Sequence, residues 1–307
     1  MVKKSNLTVL FFINPSLIGG MASNARRTGL LVVERGGEIY YRKELLQFLL
    51  KRSKNKVVII YATSNLRRLV LIIFFRILGI KVVTRVGGKR IMSSSQFSTK
   101  IVCLITNVVI VVNQELFSFL KTLSVDKSKL YHLPGFIPPL IESAYTERFD
   151  LSFTYMYTES DIYNLESIES ISKLGYSTLI GVYGLPVDLM NELAKQKLTE
   201  LSKLPSVQMI ENDNDFLGKA INANLHIRMT REDGDSNIIR ELLYFKRKVV
   251  ASSVVMRPPG CLVHDLTDKI DRVKINEWLS ADIDFPNEPL VDQLEYIPKL
   301  FPHDFKS

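Results

Sequence analysis

The chain has 307 residues, of which 46% are hydrophobic, so it suits two globular domains of about 150 residues each and excludes an intrinsically disordered protein. Its two cysteines, Cys103 and Cys261, exclude a disulfide framework and a four-cysteine zinc site, and they fit a reducing cytosol. The formal charge of +8 indicates an anionic partner: a phosphorylated substrate, an acidic membrane surface or nucleic acid.

Short apolar, β-branched runs alternate with helical segments along the first half of the chain. We predict strands over residues 7–13, 56–62, 81–86, 107–112 and 129–133. Helices are predicted over residues 43–51, 65–78, 95–104 and 115–123. Apolar strands that alternate with helices predict a parallel sheet whose two faces are both covered.

Two segments of this half allow a second interpretation. Residues 7–13 follow a charged start, as the apolar stretch of a secretory signal does, but the elements that continue at once downstream favour a first strand. Residues 69–75 read LVLIIFF between Arg68 and Arg76, and they are far shorter than the ~20 residues of a membrane span. They form either a buried helix or a basic amphipathic helix that lies in a bilayer surface.

The segment LPGFIPP at residues 133–139 interrupts the alternation, because one glycine and three prolines cannot continue a helix or a central strand. The alternation then resumes. Strands are predicted over residues 151–157, 177–184, 207–210, 225–229 and 248–253. Helices are predicted over residues 160–174, 188–201, 215–223, 238–245 and 265–279, with a last one near 291–300.

This pattern predicts an α/β protein with two Rossmann-like domains, whose parallel sheets face a central cleft. The first domain is predicted over residues 1–145 and the second over residues 146–288. Residues 289–307 are expected to form a helix and tail that return towards the first domain. In open α/β sheets, ligands bind at the carboxyl ends of the strands, so the loops there are the expected site.

The loop after the strand at 225–229 has the chemistry of a ligand site. Asp233 and Gly234 lie just before a helix that is predicted to begin near Ser236. The first turn of a helix presents free N–H groups and partial positive charge, which suit a phosphate, and glycine allows the backbone to approach it closely. The same residues also fit an ordinary surface helix capped by Asp235, Ser236 or Asn237.

The segment DGDSNIIRELLYFKRKVVASS, residues 233–253, resembles the hallmark of retaining GT-B glycosyltransferases of family 4 (group 1), of the polysaccharide-biosynthesis type. Asp233 and Glu241 fall on the two acids of that family's Glu-x7-Glu motif. Weaker similarities extend the resemblance over nearly the whole chain. They are IRMT at 227–230, RPPG at 257–260, NPSLIGGMAS at 14–23, RVGGKR at 85–90, and, at the end of the first domain, VVNQEL at 111–116 with YHLPGFIPP at 131–139.

The resemblance implies a GT-B fold and a role for each acid. Glu241 would hold the ribose of a nucleotide-sugar donor, and Asp233 would contact the donor sugar as a catalytic residue. The backbone around the donor diphosphate would come from Gly234, Asp235, Ser236, Gly19 and Gly20. The first domain would then hold the acceptor.

The sequence departs from the family pattern at the phosphate-binding cations. The usual Arg and Lys pair after the first strand of the second domain is missing, and residues 158–160 (Thr-Glu-Ser) stand there. Another cation must then neutralise the departing diphosphate, and we predict Arg228 for this catalytic role. Further phosphate or acceptor contacts are predicted at Arg231, Gly87, Gly88 and Lys89.

The predicted function is that of a hexosyltransferase-like enzyme. It would move a sugar, with retention, from a nucleotide-sugar donor to a glycan or lipid-linked acceptor in cell-surface polysaccharide synthesis. No cofactor and no metal are expected, because the four histidines (His132, His226, His264 and His303) have no metal-ligand spacing. The expected location is the cytoplasm, with a peripheral contact at the inner, anionic face of the membrane as an open alternative.

Two other classes of protein stay open on sequence grounds. The missing Arg and Lys pair fits a non-catalytic GT-B-like subunit of a glycan-assembly complex. The net charge alone fits a basic nucleic-acid-binding protein, although no basic run with interleaved aromatic residues is present, so nucleic acid is not an expected partner.

Overall fold

The computed structural model describes residues 7–14, 20–53, 55–62, 66–86, 96–112, 114–132, 145–157, 162–184, 189–213, 216–233 and 236–285. These residues fall into two compact units, and the boundary between the units lies between positions 137 and 138 of the sequence. The domain boundary predicted at residues 145 and 146 stays a prediction. The helix predicted near residues 291–300 lies outside the described residues, as does the whole of the predicted segment 289–307.

The first unit contains a six-stranded parallel sheet. Its strands are β1 (Leu7–Phe11), β2 (Glu38–Tyr41), β3 (Asn55–Ala62), β4 (Lys81–Val86), β5 (Val108–Val111) and β6 (Leu130–His132). Their order is β2-β1-β3-β4-β5-β6, so the chain moves outward from β1 in both directions. The apolar runs that predicted the central strands are buried, as expected for a sheet with helices on both faces.

Helices cover both faces of this sheet. They are α1 (Gly20–Glu34), α2 (Leu45–Leu50, after a 3-10 turn at Arg42–Glu44), α3 (Leu66–Ile77), α4 (Gln96–Ile105) and α5 (Gln114–Thr122). Ala25 and Val32 of α1 pack on one face of the sheet. Phe48 of α2, Phe75 of α3 and Val102 of α4 pack together on the other face. In the part of the chain that the structure describes, no helix is long and apolar enough to cross a membrane.

The second unit contains another six-stranded parallel sheet. Its strands are β7 (Phe149–Met156), β8 (Thr178–Tyr183), β9 (Val207–Glu211), β10 (Ala223–Arg228), β11 (Lys248–Ser252) and β12 (Leu262–His264). The order is β12-β11-β10-β7-β8-β9. The chain therefore runs outward from β7 on one side and from β10 on the other, and the order reverses between these two central strands.

The helices of the second unit are α6 (Leu165–Ser172), α7 (Leu189–Leu201), α8 (Phe216–Ala220), α9 (Asn237–Tyr244) and α10 (Arg272–Ser280). Apolar residues of α6, α7 and α10 share one core layer, which includes Ile171, Leu198 and Trp278. Residues of α8 and α9 pack on the opposite face of the sheet. The predicted fold class, α/β with two parallel sheets, is confirmed.

Three elements and several boundaries differ from the sequence predictions. The predictions missed α1, β2 and β12. The helix predicted over 265–279 begins only at Arg272, because Asp265 instead caps a turn by accepting a hydrogen bond from the backbone N–H of Thr267. Asp271 then caps α10 by accepting from the N–H of Lys274. The helix predicted over 160–174 begins at Leu165, because Asn164 is its N-cap.

Candidate functional site

The reversal of strand order between β7 and β10 marks the place where a ligand site is expected in the second unit. In open α/β sheets, the loops after two such strands diverge and leave a crevice at their carboxyl ends. β10 ends at Arg228, and residue Thr154 lies near the carboxyl end of β7. The Nη1 group of Arg228 donates a hydrogen bond of 3.2 Å to the hydroxyl of Thr154, so this side chain bridges the two strands at the reversal.

Arg228 and Asp233 form a buried ion pair at this position. The Nε group of Arg228 lies 3.0 Å from Oδ2 of Asp233, and Nη2 lies 3.2 Å from Oδ1, so the guanidinium binds both carboxylate oxygens. The Arg228 Nη1 group also donates to the hydroxyl of Tyr163 over 3.3 Å. The guanidinium carbon lies 4.9 Å from the centre of the Tyr163 ring, where a cation is attracted to the aromatic face.

A second arginine binds the same carboxylate. Arg257, in the loop after β11, donates from Nη1 to Oδ2 of Asp233 over 2.6 Å. Its Nε group donates to the carbonyl of Ser252 over 2.8 Å, and its Nη2 group donates to the Ser252 hydroxyl over 3.1 Å. The side chains of Arg257 and Asp233 are only 3% and 6% exposed. Arg228, Asp233 and Arg257 therefore form one buried cluster, here called the Arg–Asp–Arg cluster.

The Arg–Asp–Arg cluster carries a net positive charge, since one carboxylate faces two guanidinium groups. Burial acts to raise the pKa of Asp233, but Arg228 and Arg257 outweigh it and hold that pKa below its ordinary value. Burial also acts to lower the pKa of Arg228, and the Asp233 carboxylate more than compensates. Arg228 and Asp233 are therefore both ionised at neutral pH. The second guanidinium, that of Arg257, leaves the cluster with a surplus of positive charge.

Backbone contacts fix the loop that carries Asp233. Tyr163 and Thr230 form an isolated antiparallel bridge, and the N–H of Arg231 donates to the carbonyl of Ile162 over 2.8 Å. The hydroxyl of Ser252 donates to the carbonyl of Thr230 over 2.7 Å. These contacts join the segments that follow β7, β10 and β11, so the carboxylate is held from both sides.

Helix α9 follows this loop and carries Glu241. Ser236, one of the three predicted cap candidates, is the N-cap residue of α9, but its side chain makes no cap hydrogen bond. Ile239 and Leu242 of this helix pack in the core, and Glu241 is also buried, with 6% of its surface exposed. Burial and the charges of Asp213 and Glu241 raise the pKa of Tyr183, which is the last residue of β8. The Glu241 side chain therefore lies near the carboxyl end of that strand.

The structure brings together only part of the predicted site. Arg228 and Asp233 are in direct contact, and Glu241 lies in the helix that follows them. Arg231 is exposed and pairs with Glu166 over 3.0 Å. Gly20 is the first residue of α1. Six predicted site residues lie outside the described residues: Gly19, Gly87, Gly88, Lys89, Gly234 and Asp235.

Three residues of the Arg–Asp–Arg cluster and its surroundings were missed from the sequence. Arg257 lies in the RPPG segment that carried part of the resemblance, which was a usable signal. Tyr163 was assigned to the start of the helix predicted over 160–174 in preference to a ligand contact, and Thr154 was assigned to the strand predicted over 151–157. Tyr163 and Thr154 are 65 and 74 residues from Arg228 in the sequence. Their hydrogen bonds with Arg228 depend on which strands are neighbours in the sheet.

His226 lies on β10, two residues before Arg228. Burial, and then the charge of Arg228, lowers the pKa of His226 to about 3, so that ring is neutral at physiological pH. Its Nδ1 atom lies 3.0 Å from the hydroxyl of Ser152. Within the described ranges, no three His, Cys, Asp or Glu side chains lie in an arrangement that could hold a metal ion.

Solved glycosyltransferase structures share the architecture of this chain over most of its length. HepE of Anabaena in complex with UDP-glucose matches 89% of this chain and 90% of its own, with 11% identity and a TM-score of 0.60. Sucrose-phosphate synthase from Thermosynechococcus elongatus matches 85% of this chain and 86% of its own, with 10% identity and a TM-score of 0.61. The lipopolysaccharide outer core galactosyltransferase WaaB matches 89% of this chain and 88% of its own, with 8% identity and a TM-score of 0.52.

These likenesses establish the fold of the chain. No protein-family model matches it, and no curated protein matches it. At identities near 10%, the solved structures show that the chain has the GT-B glycosyltransferase fold, as the sequence predicted.

Proposed function

We propose that this protein is a retaining glycosyltransferase that moves a sugar from a nucleoside-diphosphate donor to a glycan or lipid-linked acceptor. The observation that carries the proposal is the Arg–Asp–Arg cluster at the strand reversal of the second sheet. The GT-B neighbours support it, since HepE is bound to UDP-glucose in its crystals. The role that we assign is in the synthesis of cell-surface polysaccharide. In this proposal the enzyme works in the cytoplasm, at the inner face of the membrane.

The chemistry of the donor explains why a buried positive cluster is useful. Transfer breaks the bond between the anomeric carbon and the diphosphate and forms a bond from that carbon to an acceptor oxygen. Negative charge accumulates on the departing diphosphate, and fixed cations stabilise it most effectively in a site with little water. Arg228 and Arg257 supply that charge, and the N-terminus of α9 adds the partial positive charge of its helix dipole.

Asp233 has two roles in this proposal. It holds both arginines in place, and it contacts the donor sugar through a carboxylate oxygen, which can accept more than one hydrogen bond. Its lowered pKa keeps it ionised at neutral pH, so it acts as an acceptor and not as a proton donor. Retention of configuration is part of the proposal because the 233–241 spacing resembles the motif of retaining enzymes.

A panel of sugar nucleotides tests the proposal directly. The melting temperature of the chain is measured with each nucleoside diphosphate and each sugar nucleotide, because a ligand at 100 times its Kd stabilises the folded state by about 2.7 kcal/mol. The best ligand is then assayed for release of its sugar to water or to an acceptor. Stabilisation with release of the sugar supports an enzyme. Stabilisation without any release indicates a non-catalytic subunit, and no stabilisation by any nucleotide refutes a donor site.

The Glu241→Gln substitution is expected to weaken nucleotide binding by about 1.5–3 kcal/mol, which is the contribution of hydrogen bonds to a charged group. We assign the Glu241 carboxylate to the ribose hydroxyls of the donor. The amide keeps the size of the side chain and removes the charge, and the melting temperature, measured alongside, separates a lost ligand contact from a loss of stability. Isothermal titration with the preferred nucleoside diphosphate measures the loss. The matched control is Glu232→Gln, an exposed carboxylate in the preceding loop. Equal affinity in both variants would place Glu241 outside the donor site.

Treatment with EDTA is expected to leave turnover unchanged within about twofold. We propose that no resident metal takes part, because the cations of the Arg–Asp–Arg cluster neutralise the diphosphate themselves. The measurement compares initial rates before and after dialysis against EDTA, and again after Mg²⁺ or Mn²⁺ is added back. A rate that falls strongly and recovers with a divalent ion would contradict this proposal and leave the donor site intact.

A further inference from the structure

Helix α3 has two apolar faces, and among the described residues only one of these faces is covered. On the inner face, Ile72 and Phe75 are fully buried against the sheet. On the outer face, four large hydrophobic residues are exposed: Val70 (62%), Ile73 (44%), Phe74 (42%) and Ile77 (79%). Their spacing of i, i+3, i+4 and i+7 places them in one stripe along the helix. The core of the first unit therefore explains only half of the apolar sequence.

The neighbouring helices extend this apolar surface. Helix α4 packs beside α3 and exposes Phe97 (74%) and Leu104 (47%). Helix α2, which packs on the same face of the sheet, exposes Leu46 (69%) and Leu50 (73%). Single exposed hydrophobic residues are common, but exposed residues on three helices of one layer indicate an interaction surface. We call the outer side of these three helices the α2–α4 surface.

The charge of the same segment is strongly one-sided. Between Glu44 and Glu115 the sequence contains twelve Lys or Arg residues and no Asp or Glu. The charge of this segment exceeds the +8 of the whole chain, so the other residues together are net acidic. Arg52, Arg76 and Lys100 are exposed on or beside these helices. Lys51, just after α2, is paired with Glu38, whereas Arg52, Arg76 and Lys100 add positive charge beside the exposed apolar side chains.

We propose that the α2–α4 surface docks on an anionic lipid bilayer. The stripe of α3 enters the boundary between headgroups and acyl chains, and the cations contact acidic headgroups, as in amphipathic helices that lie on membranes. Soluble phosphate or nucleic acid would satisfy the cations and leave the apolar stripe in water. A second copy of the chain would bring two surfaces with the same excess of positive charge together, and their like charges would repel. A bilayer matches both the apolar and the basic parts.

This inference deepens the proposed function, since an enzyme docked in this way works where lipid-linked acceptors lie. It does not depend on catalysis, because its test needs neither donor nor acceptor. Sequence alone pointed to residues 67–76 as either a buried helix or a membrane-surface helix. The structure buries one face of α3 and exposes the other, and it places further exposed apolar residues on α2 and α4.

Co-sedimentation of the full chain with lipid vesicles tests the proposal. One set of vesicles contains phosphatidylcholine alone, and the other contains phosphatidylcholine and phosphatidylglycerol in equal parts. We expect binding to the acidic vesicles that weakens as salt is added, and little binding to the neutral ones. Binding that is equal in both sets, or absent from the acidic set at low salt, would overturn the proposal.

Paired variants locate the docking surface. The Arg76→Gln/Lys100→Gln variant should lower the partition coefficient on acidic vesicles roughly 30-fold, about fivefold for each charge removed. The Val70→Ser/Ile77→Ser variant changes the two most exposed positions of the stripe and should lower binding at least tenfold. Matched controls in the second unit are Arg247→Gln/Lys195→Gln and Val263→Ser/Val273→Ser, which remove equivalent exposed groups and should bind like the wild type.

Two other occupants of the surface give different results. If a second copy covers it, sedimentation velocity shows a dimer that the Val70→Ser/Ile77→Ser variant dissociates, and vesicles do not bind. If residues 286–307 cover it, a chain truncated after Phe285 binds acidic vesicles and the full chain does not. Either result overturns membrane docking by the whole protein. In neither case does the donor panel change, so the proposed glycosyl transfer is judged separately.

Discussion

The Asp233→Asn substitution is expected to lower the free energy of unfolding by about 3–5 kcal/mol, the usual result when one partner of a buried ion pair is removed. Asp233 is the carboxylate that the structure places against both Arg228 and Arg257. Asparagine has nearly the same shape but no charge, so two buried guanidinium groups would be left without a counter-ion. Turnover should fall to background, because both cations and the sugar contact depend on this side chain.

Urea unfolding at neutral pH measures this change, and Glu232→Gln is the matched control. Glu232 is the adjacent residue in the same loop, but its side chain is exposed, so its loss should change stability by less than about 0.5 kcal/mol. If Asp233→Asn unfolds at the same urea concentration as this control, the cluster contributes no stability. Loss of activity with unchanged stability would instead restrict Asp233 to a contact with the donor.

The pH dependence of stability provides a second test of Asp233. Its pKa is lower in the folded protein than in the unfolded chain, so ionisation favours folding. The contribution is fully present above the unfolded value of about 4 and is lost as the pH falls through the folded value. The wild type should therefore lose part of its advantage over Asp233→Asn in acid, and the difference between the two should be constant from about pH 6 to pH 8.

The sequence predicted the sheets well because parallel strands buried on both faces leave a plain signal. The run from Lys56 to Ala62 is apolar almost throughout, and it forms β3 as predicted. The edge strand β2, Glu38–Tyr41, was missed because it pairs on one side only and none of its residues is fully buried. Helix α1 was missed because its first residues, rich in glycine and small side chains, read as a loop.

The candidate site was predictable only where its residues are neighbours in sequence. Arg228 and Asp233 are five residues apart, and a carboxylate partner for this arginine follows from the cost of burying it alone. Arg257 is 24 residues from Asp233, and its contact exists because β10 and β11 are adjacent parallel strands whose following loops meet. Periodicity and composition do not specify strand order, so they could not supply this third member.

The Arg228→Lys substitution is expected to lower turnover by roughly 100-fold or more, the usual effect of removing one group that stabilises charge in a transition state. The guanidinium of Arg228 uses Nε and Nη2 on Asp233 and Nη1 on Thr154 and Tyr163. A lysine ammonium is a single point of charge, and it cannot hold both carboxylate oxygens and reach across to β7. Affinity for the nucleoside alone should change much less, because the base and ribose lie away from the diphosphate.

Comparison of the variants decides whether Arg228 meets the diphosphate itself or acts by holding Asp233. Steady-state kinetics would be measured for Arg228→Lys, Asp233→Asn and the double variant, with Arg247→Lys as an exposed control. If Arg228 acts only through Asp233, the double variant should be no slower than Asp233→Asn, because the shared function is already lost. If Arg228 also neutralises the diphosphate, its loss should slow the double variant further. Unchanged turnover in Arg228→Lys would remove the cation role from this residue. A loss of turnover in Arg231→Lys would then assign that role to Arg231, the exposed arginine three residues away. Its partner is Glu166, which a diphosphate could displace.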